Sequence, residues 1–167
     1  MNLCDIDQIK ALLVRHGFRF SKSMGQNFLI QPWVPRDIAC SSGAGSGKGV
    51  LEIGPGIGPL TRELSLLADQ VVSVELDRSL LPILTETLGD NVEIVSGDIL
   101  KLDIPSLVRE RFQGLEPIAC ANLPYNITTP AITALLDAGC FSSITIMIQR
   151  EVARRICATP GSGDYGA

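Results

Sequence analysis

Apolar positions along this chain follow two rhythms. Over residues 5–16 they recur at helical spacing, with Ile6, Ile9, Leu12 and Leu13 on one stripe and Gly17 as the stop, which predicts an entry helix. Residues 21–29 are polar and irregular, and a second helix is expected over residues 32–40. From Val50 onward, short apolar runs alternate with helical patterns. Residues 50–53, 71–74, 92–95, 118–121 and 144–148 read as strands, and residues 60–67, 78–88, 106–112 and 130–136 as the helices between them. Five strands alternating with helices imply an α/β fold with a doubly wound, mainly parallel sheet, because parallel neighbours need a crossover that covers both faces.

The two helical patterns and the basic residues around them make residues 1–48 an N-terminal extension, and residues 49–167 carry the α/β pattern. Between them lies Gly43-Ala44-Gly45-Ser46-Gly47-Lys48-Gly49, which resembles a phosphate-binding loop only at first sight. Ser42 stands where that pattern needs its first glycine, Gly49 stands where it needs Ser or Thr, and no strand precedes it. Residues 41–49 are therefore expected to be a flexible connector.

The chemistry gathers at the carboxyl ends of the predicted strands. The first runs into Gly54-Pro55-Gly56-Ile57-Gly58-Pro59, where Gly54 and Gly56 let the backbone turn sharply and approach a ligand. A dinucleotide fingerprint would place its third glycine where Pro59 stands. The loop also has no Lys or Arg for a phosphate, so a phosphate-free nucleoside such as S-adenosylmethionine fits better than NAD. The second strand ends in Val74-Glu75-Leu76-Asp77, with Glu75 suited to a ribose diol and Asp77 to a helix cap. Asp98, after the third strand, suits an adenine amino group or a turn.

After the fourth strand comes Asn122-Leu123-Pro124-Tyr125. One reading is a turn, with Pro124 fixing φ and Asn122 bonding its own backbone. The other is a site for a planar base carrying an exocyclic amine: the Asn122 oxygen and the Leu123 carbonyl accept from the NH2 group, and Tyr125 stacks on the ring. Acceptors and glycines at the ends of successive strands favour the second reading, since a sheet brings those ends together.

Composition narrows the class further. The chain has 167 residues, 46% hydrophobic and 19% charged, enough for one globular core. No apolar run approaches the ~20 residues of a membrane span, and the start shows no basic region followed by an apolar one. A cytoplasmic protein is expected. Cys4, Cys40, Cys120, Cys140 and Cys157 are scattered, and His16 is the sole histidine; thiols in the core are expected, with no metal site and no histidine triad. His16 reads as a helix-end residue. Net charge is −4, unevenly spread. Residues 1–48 hold six Lys/Arg against three Asp/Glu, residues 49–145 five against thirteen, and residues 146–167 three against two. Arg15, Arg19 and Lys22 interleave with Phe18 and Phe20, and Arg150, Arg154 and Arg155 follow the last strand. Each group reads equally as a solvated face or as a surface for nucleic-acid phosphates.

Taken together, Gly25-Gln26-Asn27-Phe28-Leu29, Leu51-Glu52-Ile53-Gly54-Pro55-Gly56-Ile57-Gly58, Val74-Glu75-Leu76-Asp77, Gly97-Asp98 and Asn122-Leu123-Pro124-Tyr125-Asn126-Ile127 closely resemble the KsgA/RsmA-type ribosomal RNA adenine dimethyltransferases. The likeness runs from about Phe18 to the end. It implies a Rossmann-like fold of the S-adenosylmethionine-dependent methyltransferases. It also implies a cofactor site lined by Asn27, Leu29, Gly54, Gly56, Glu75, Asp98 and Asn122, with Asn122, Leu123, Pro124 and Tyr125 at the reacting centre. The implied substrate is a pair of adjacent adenosines near the 3′ end of small-subunit (16S) ribosomal RNA in the immature subunit. Large-subunit methylation of the macrolide-resistance type and a non-enzymatic assembly role stand as alternatives. The resemblance further implies two more strands and a helical domain beyond Ala167, so this chain is expected to bind cofactor while lacking part of its catalytic pocket. Residues 143–148 would then form an exposed apolar edge prone to self-association.

Overall fold

The computed structural model describes residues 1–18, 29–163 and 165. Helices α1 (Ile6–Arg15) and α2 (Trp33–Ser41) precede β1 (Lys48–Ile53). There follow α3 (Pro59–Ser65), β2 (Gln70–Glu75), a 3₁₀ turn (Arg78–Leu80) leading into α4 (Leu81–Thr87), and β3 (Val92–Ser96). The chain continues through α5 (Ile104–Arg111), β4 (Glu116–Asn122), α6 (Thr128–Ala138), β5 (Ile144–Met147) and α7 (Arg150–Ile156). All the strand pairings are parallel and the order is β3-β2-β1-β4-β5. The expected fold class and its five strands are therefore observed, with bounds shifted by one or two residues.

The two-residue period of a strand decides what covers each face. Leu51, Ile53, Val72, Val74, Ala119 and Ala121 point to one side, where they pack with Ile104, Val108 and Phe112 from α5 and its end and with Ala131 and Leu135 of α6. Val50, Val71, Ile118 and Cys120 point to the other side and meet Ala39 of α2 and Leu60 and Leu64 of α3. Helix α1 places Ile9, Leu12 and Leu13 against Ile57, Leu80, Ile83 and Leu84, which anchors it over the glycine loop and α4. At its end, Arg15 pairs with Glu86, and His16 Nε2 lies 2.6 Å from Glu86 Oε2. Two covered faces explain the continuous apolar runs of β1, β2 and β4.

Two expectations need correction. The connector ends earlier than residue 49, because Lys48 and Gly49 already belong to β1 and pair with Glu116 and Pro117 of β4. The loop is also held: the Gly47 N–H donates to Asp69 Oδ2 at 2.9 Å, and Lys48 forms an ion pair with Glu116. β5 is the outer strand beside β4 as expected, yet Ile144, Ile146, Met147 and Ile148 are half-buried rather than exposed. The isoleucines pack against the same core as α6, so it is the backbone edge that is open.

Gly49 is required by close packing. A Cβ there would stand 2.4 Å from Cδ1 of Phe112, whose ring is buried. Gly49→Ala should destabilise the fold by about 1–3 kcal/mol through overpacking, read as a lowered midpoint in urea unfolding. An unchanged midpoint would mean that Phe112 can yield at little cost.

Candidate active site

Helix connections leave β1 in one direction towards β2 and β3, and those around β4 lie on the other side of β1. Among the described residues no crossover helix therefore covers the carboxyl ends of β1 and β4, which is where open α/β sheets hold ligands. A cavity of about 390 Å³ occupies that place, a size suited to a small cofactor. Backbone hydrogen bonds stitch its floor. The Gly54 N–H donates to the Val74 carbonyl at 2.9 Å, the Gly97 N–H to the Glu75 carbonyl at 2.9 Å, and the Leu123 N–H to the Met147 carbonyl at 3.2 Å.

Of the residues predicted from sequence, Leu29, Gly54, Gly56, Glu75, Asp98, Asn122, Leu123, Pro124 and Tyr125 all line this cavity. Asn27 lies outside the described residues. Gly54 and Gly56 have φ of 67° and 61°, the left-handed region where a side chain is strained. The loop they form is held by Glu75, whose Oε2 accepts from the Gly56 N–H at 3.3 Å and whose Oε1 accepts from the Asp77 N–H at 2.8 Å. Asp77 caps the 3₁₀ turn by accepting from the Ser79 N–H, as its position suggested. Asp98 closes the turn after β3 by accepting from the Leu100 N–H at 3.1 Å, with Lys101 Nζ at 3.5 Å, while still facing the cavity. For Asp98 the turn reading and the cavity reading hold together.

At Asn122 the structure separates the two readings. The turn is built without it: the Pro124 carbonyl accepts from the Ile127 N–H at 3.2 Å and from the Thr128 hydroxyl at 3.1 Å. Asn122 is the last residue of β4, and among the described residues its side-chain amide makes no hydrogen bond. No donor reaches the Leu123 carbonyl among them either. Two acceptors at the cavity wall thus remain available. Tyr125, 55% exposed, stands at the mouth, and the Pro124 ring lies 3.9 Å from where a Cβ on Gly54 would be, so the two loops meet across β1 and β4.

Among the lining residues outside the set predicted by sequence, three bear on the chemistry of the cavity. Leu76 and Leu100 line the cavity although they are 58% and 41% exposed, which makes them apolar flanks for a flat ligand. Their signal is an apolar residue one or two places after each of the acids Glu75 and Asp98, at a strand end. Glu52 is the third, and its signal is an acid inside the apolar run of β1. With Glu75 and Asp98 it makes three carboxylates, and no Lys or Arg lines the cavity among the described residues. Among the described residues no group of His, Cys, Asp and Glu is placed to hold a metal, and the five cysteines are free.

The family model described as ribosomal RNA adenine dimethylase matches residues 17–167. The chain is 47% identical over 161 residues to the ribosomal RNA small subunit methyltransferase A of Alkaliphilus oremlandii, an alignment covering 95% of this chain and 56% of that relative. Among solved structures, the 23S rRNA methyltransferase ErmE aligns with a TM-score of 0.68 at 35% identity, covering 84% of this chain and 53% of that one. A dimethyladenosine transferase from Plasmodium falciparum aligns with a TM-score of 0.67 at 28% identity, covering 81% and 48%. The chain spans about half the length of these curated and solved relatives.

Glu52 gives the cavity a measurable electrostatic signature. It is buried, accepts from the Ser73 hydroxyl at 2.6 Å, and has its pKa pushed up to about 7. Burial away from water is the main cause, and the Glu75 carboxylate adds to it, while the Ser73 hydroxyl acts against it. The nearby Thr61 hydroxyl acts the same way as Ser73, although it falls short of hydrogen-bonding geometry. Burial raises the pKa of Glu75 as well. A carboxyl raised in the folded state holds its proton after the unfolded chain has lost its own, so stability falls between about pH 4.5 and pH 7 and then levels. Glu52→Gln should remove the Glu52 share of that loss. The variant should match the parent near pH 4.5 and exceed it by a few kcal/mol, about 3 at most, at pH 8 in urea unfolding. Equal pH profiles for the two proteins would refute this origin.

Proposed function

The chain belongs to the ribosomal RNA adenine dimethylase family, and from that premise we propose that it binds S-adenosylmethionine in this cavity and methylates N6 of adenosine in small-subunit ribosomal RNA. The observation that carries the proposal is the pair of acceptors left without a donor among the described residues, the Asn122 amide oxygen and the Leu123 carbonyl, at the end of β4. An adenine N6 amine has two N–H donors, and two acceptors side by side match it. By holding both hydrogens they draw the nitrogen out of conjugation with the ring and aim its lone pair. They also stabilise the positive charge that develops as the nitrogen attacks. No base is required before the attack, since the amine loses its proton only after the new bond has formed.

The lining fits the cofactor. When bound, S-adenosylmethionine supplies a methyl group activated by a positively charged sulfur. Glu52, Glu75 and Asp98 give a cavity free of Lys and Arg an acidic lining suited to that cation. In this reading Glu75 accepts from the ribose hydroxyls and Asp98 from the adenine amine, while Leu76 and Leu100 flank the purine. Gly54 and Gly56 keep the loop clear of the ligand, and Leu29 and Asn27 complete the wall. The target base must leave its stack to enter, and Tyr125 at the mouth offers a ring face that recovers part of that cost. The proposed partner is the immature small ribosomal subunit in the cytoplasm.

Similarity to the 23S rRNA methyltransferase ErmE supports a second reading, large-subunit RNA as substrate. The small-subunit relative is more similar, 47% against 35% identical, which favours the first. We also propose that copies of the chain associate through the open edge of β5, whose unpaired backbone groups can extend the sheet.

Calorimetry should show S-adenosylmethionine binding to the chain, and methyl transfer to unmethylated small subunits should exceed transfer to large ones. Asn122→Ala should lower that transfer by on the order of 10²-fold, as loss of one transition-state hydrogen-bonding group does. Equal transfer by the variant would remove Asn122 from the reaction. Sedimentation at rising concentration should show a dimer that Ile146→Pro abolishes, and a parent that stays monomeric would exclude the β5 association.

A further inference from the structure

Outside the cavity, the rim beside β5 carries a group of side chains to which the methyl-transfer reading gives no role. Helix α2 packs against β5, and the Ser143 hydroxyl just before β5 donates to the Ser42 carbonyl at the end of α2 at 3.2 Å. The two elements therefore run in opposite directions. Nine helical residues span about 13 Å and the four residues of β5 about the same. Trp33, the first residue of α2, thus lies towards the carboxyl end of β5, where Met147 lines the cavity. Leu29, four residues before it, also lines the cavity. Helix α7 begins at Arg150, three residues after Met147, and so starts from the same rim.

Trp33 is 62% exposed. Arg36 lies one helical turn after it, and Arg150 and Arg154 share one face of α7, with Arg155 beside them. Each of these arginines is exposed and, among the described residues, forms no ion pair. Arg15, Lys48, Lys101 and Arg111 elsewhere are paired with carboxylates. An exposed indole on the same rim as arginines outside ion pairs matches single-stranded nucleic acid, in which bases stack on aromatic rings and phosphates meet arginine. The acidic cavity repels phosphate, so the backbone of a strand whose base enters it must lie outside, and this rim is cationic.

We propose that Trp33 with Arg150, Arg154 and Arg155 forms the docking surface for the RNA strand flanking the methylated adenosine: Trp33 stacks on a neighbouring unpaired base and the arginines hold phosphates. This rests on the reading of the cavity as a site of methyl transfer to RNA. Trp33 is the sole tryptophan of the chain, so its fluorescence reports binding at this rim directly. Titration with a single-stranded RNA hexamer containing two adjacent adenosines should quench it saturably. Trp33→Ala should weaken binding of the labelled hexamer about tenfold, and Trp33→Phe should retain most of the affinity. Arg150→Ala with Arg154→Ala should flatten the dependence of log affinity on log salt by about 0.7 for each phosphate that the arginines no longer hold. Calorimetric binding of S-adenosylmethionine should be unchanged in every variant. Unaltered hexamer affinity in Trp33→Ala and in the double arginine variant, or no hexamer binding by the parent, overturns the docking surface. Failure of the parent to bind S-adenosylmethionine, or an Asn122→Ala variant as active as the parent, overturns the methyl-transfer reading instead.

Discussion

Everything at the site depends on β1 pairing in parallel with two strands that belong to different halves of the sheet. Val50 to Ile53 bond to β2 on one side and β4 on the other. Right-handed crossovers on the two sides then run away from each other, and among the described residues the carboxyl ends of β1 and β4 are left with no crossover helix above them. The cavity is what remains there. A sheet laid down in one direction only would have closed it, and the glycine loop and Asn122 would belong to separate connections with nothing between them.

That opening sets the placement of the acids. Glu52 and Ser73 are neighbours across the β1-β2 ladder, so the hydroxyl that supports the buried carboxyl is supplied by register. Glu75, one residue beyond the last ladder position of β1, sits where its two oxygens can hold the Gly56 and Asp77 N–H groups. A carboxylate in this place does two things: it fixes a loop whose φ values would otherwise be free, and it keeps lone pairs facing the cavity. Burying two carboxyls side by side opposes folding when they are charged. That opposition makes the cavity receptive to a positively charged ligand, whose binding relieves the repulsion.

Much of this is legible in the sequence because it follows from period and punctuation. The apolar runs of β1, β2 and β4 are continuous since both faces are covered, and the glycines mark where the chain must turn over a ligand. What is not legible depends on partners distant in sequence. Lys48 and Gly49 look like loop residues until Glu116 and Phe112 are placed beside them. Asn122 looks like a turn residue because Pro124 follows, and only the Pro124 carbonyl bonds to Ile127 and Thr128 show that the turn closes without it. The half-burial of β5 escapes a reading by pattern because its cover comes from elements distant in sequence, α2 and the core that α6 shares. Leu76 and Leu100 draw little notice because an exposed leucine is ordinary on a protein surface, and only their position at a cavity gives them meaning.

Charge, finally, divides the molecule into regions suited to ligands of opposite sign. Acids gather inside the cavity at the ends of β1, β2 and β3, and Arg36, Arg150, Arg154 and Arg155, outside the ion pairs of the described residues, belong to the elements on the β5 side of its mouth. A single pocket that had to attract a sulfonium and a polyphosphate chain would weaken its hold on each, because a field that favours one opposes the other. Setting the two regions at opposite ends of one row of strands lets the field change sign between them. The neutral acceptors Asn122 and Leu123 stand at that boundary, where in the proposed reaction an uncharged base would pass from the phosphate side to the cationic methyl donor. An amide and a carbonyl can orient such a base without favouring either ligand's charge in the other's place.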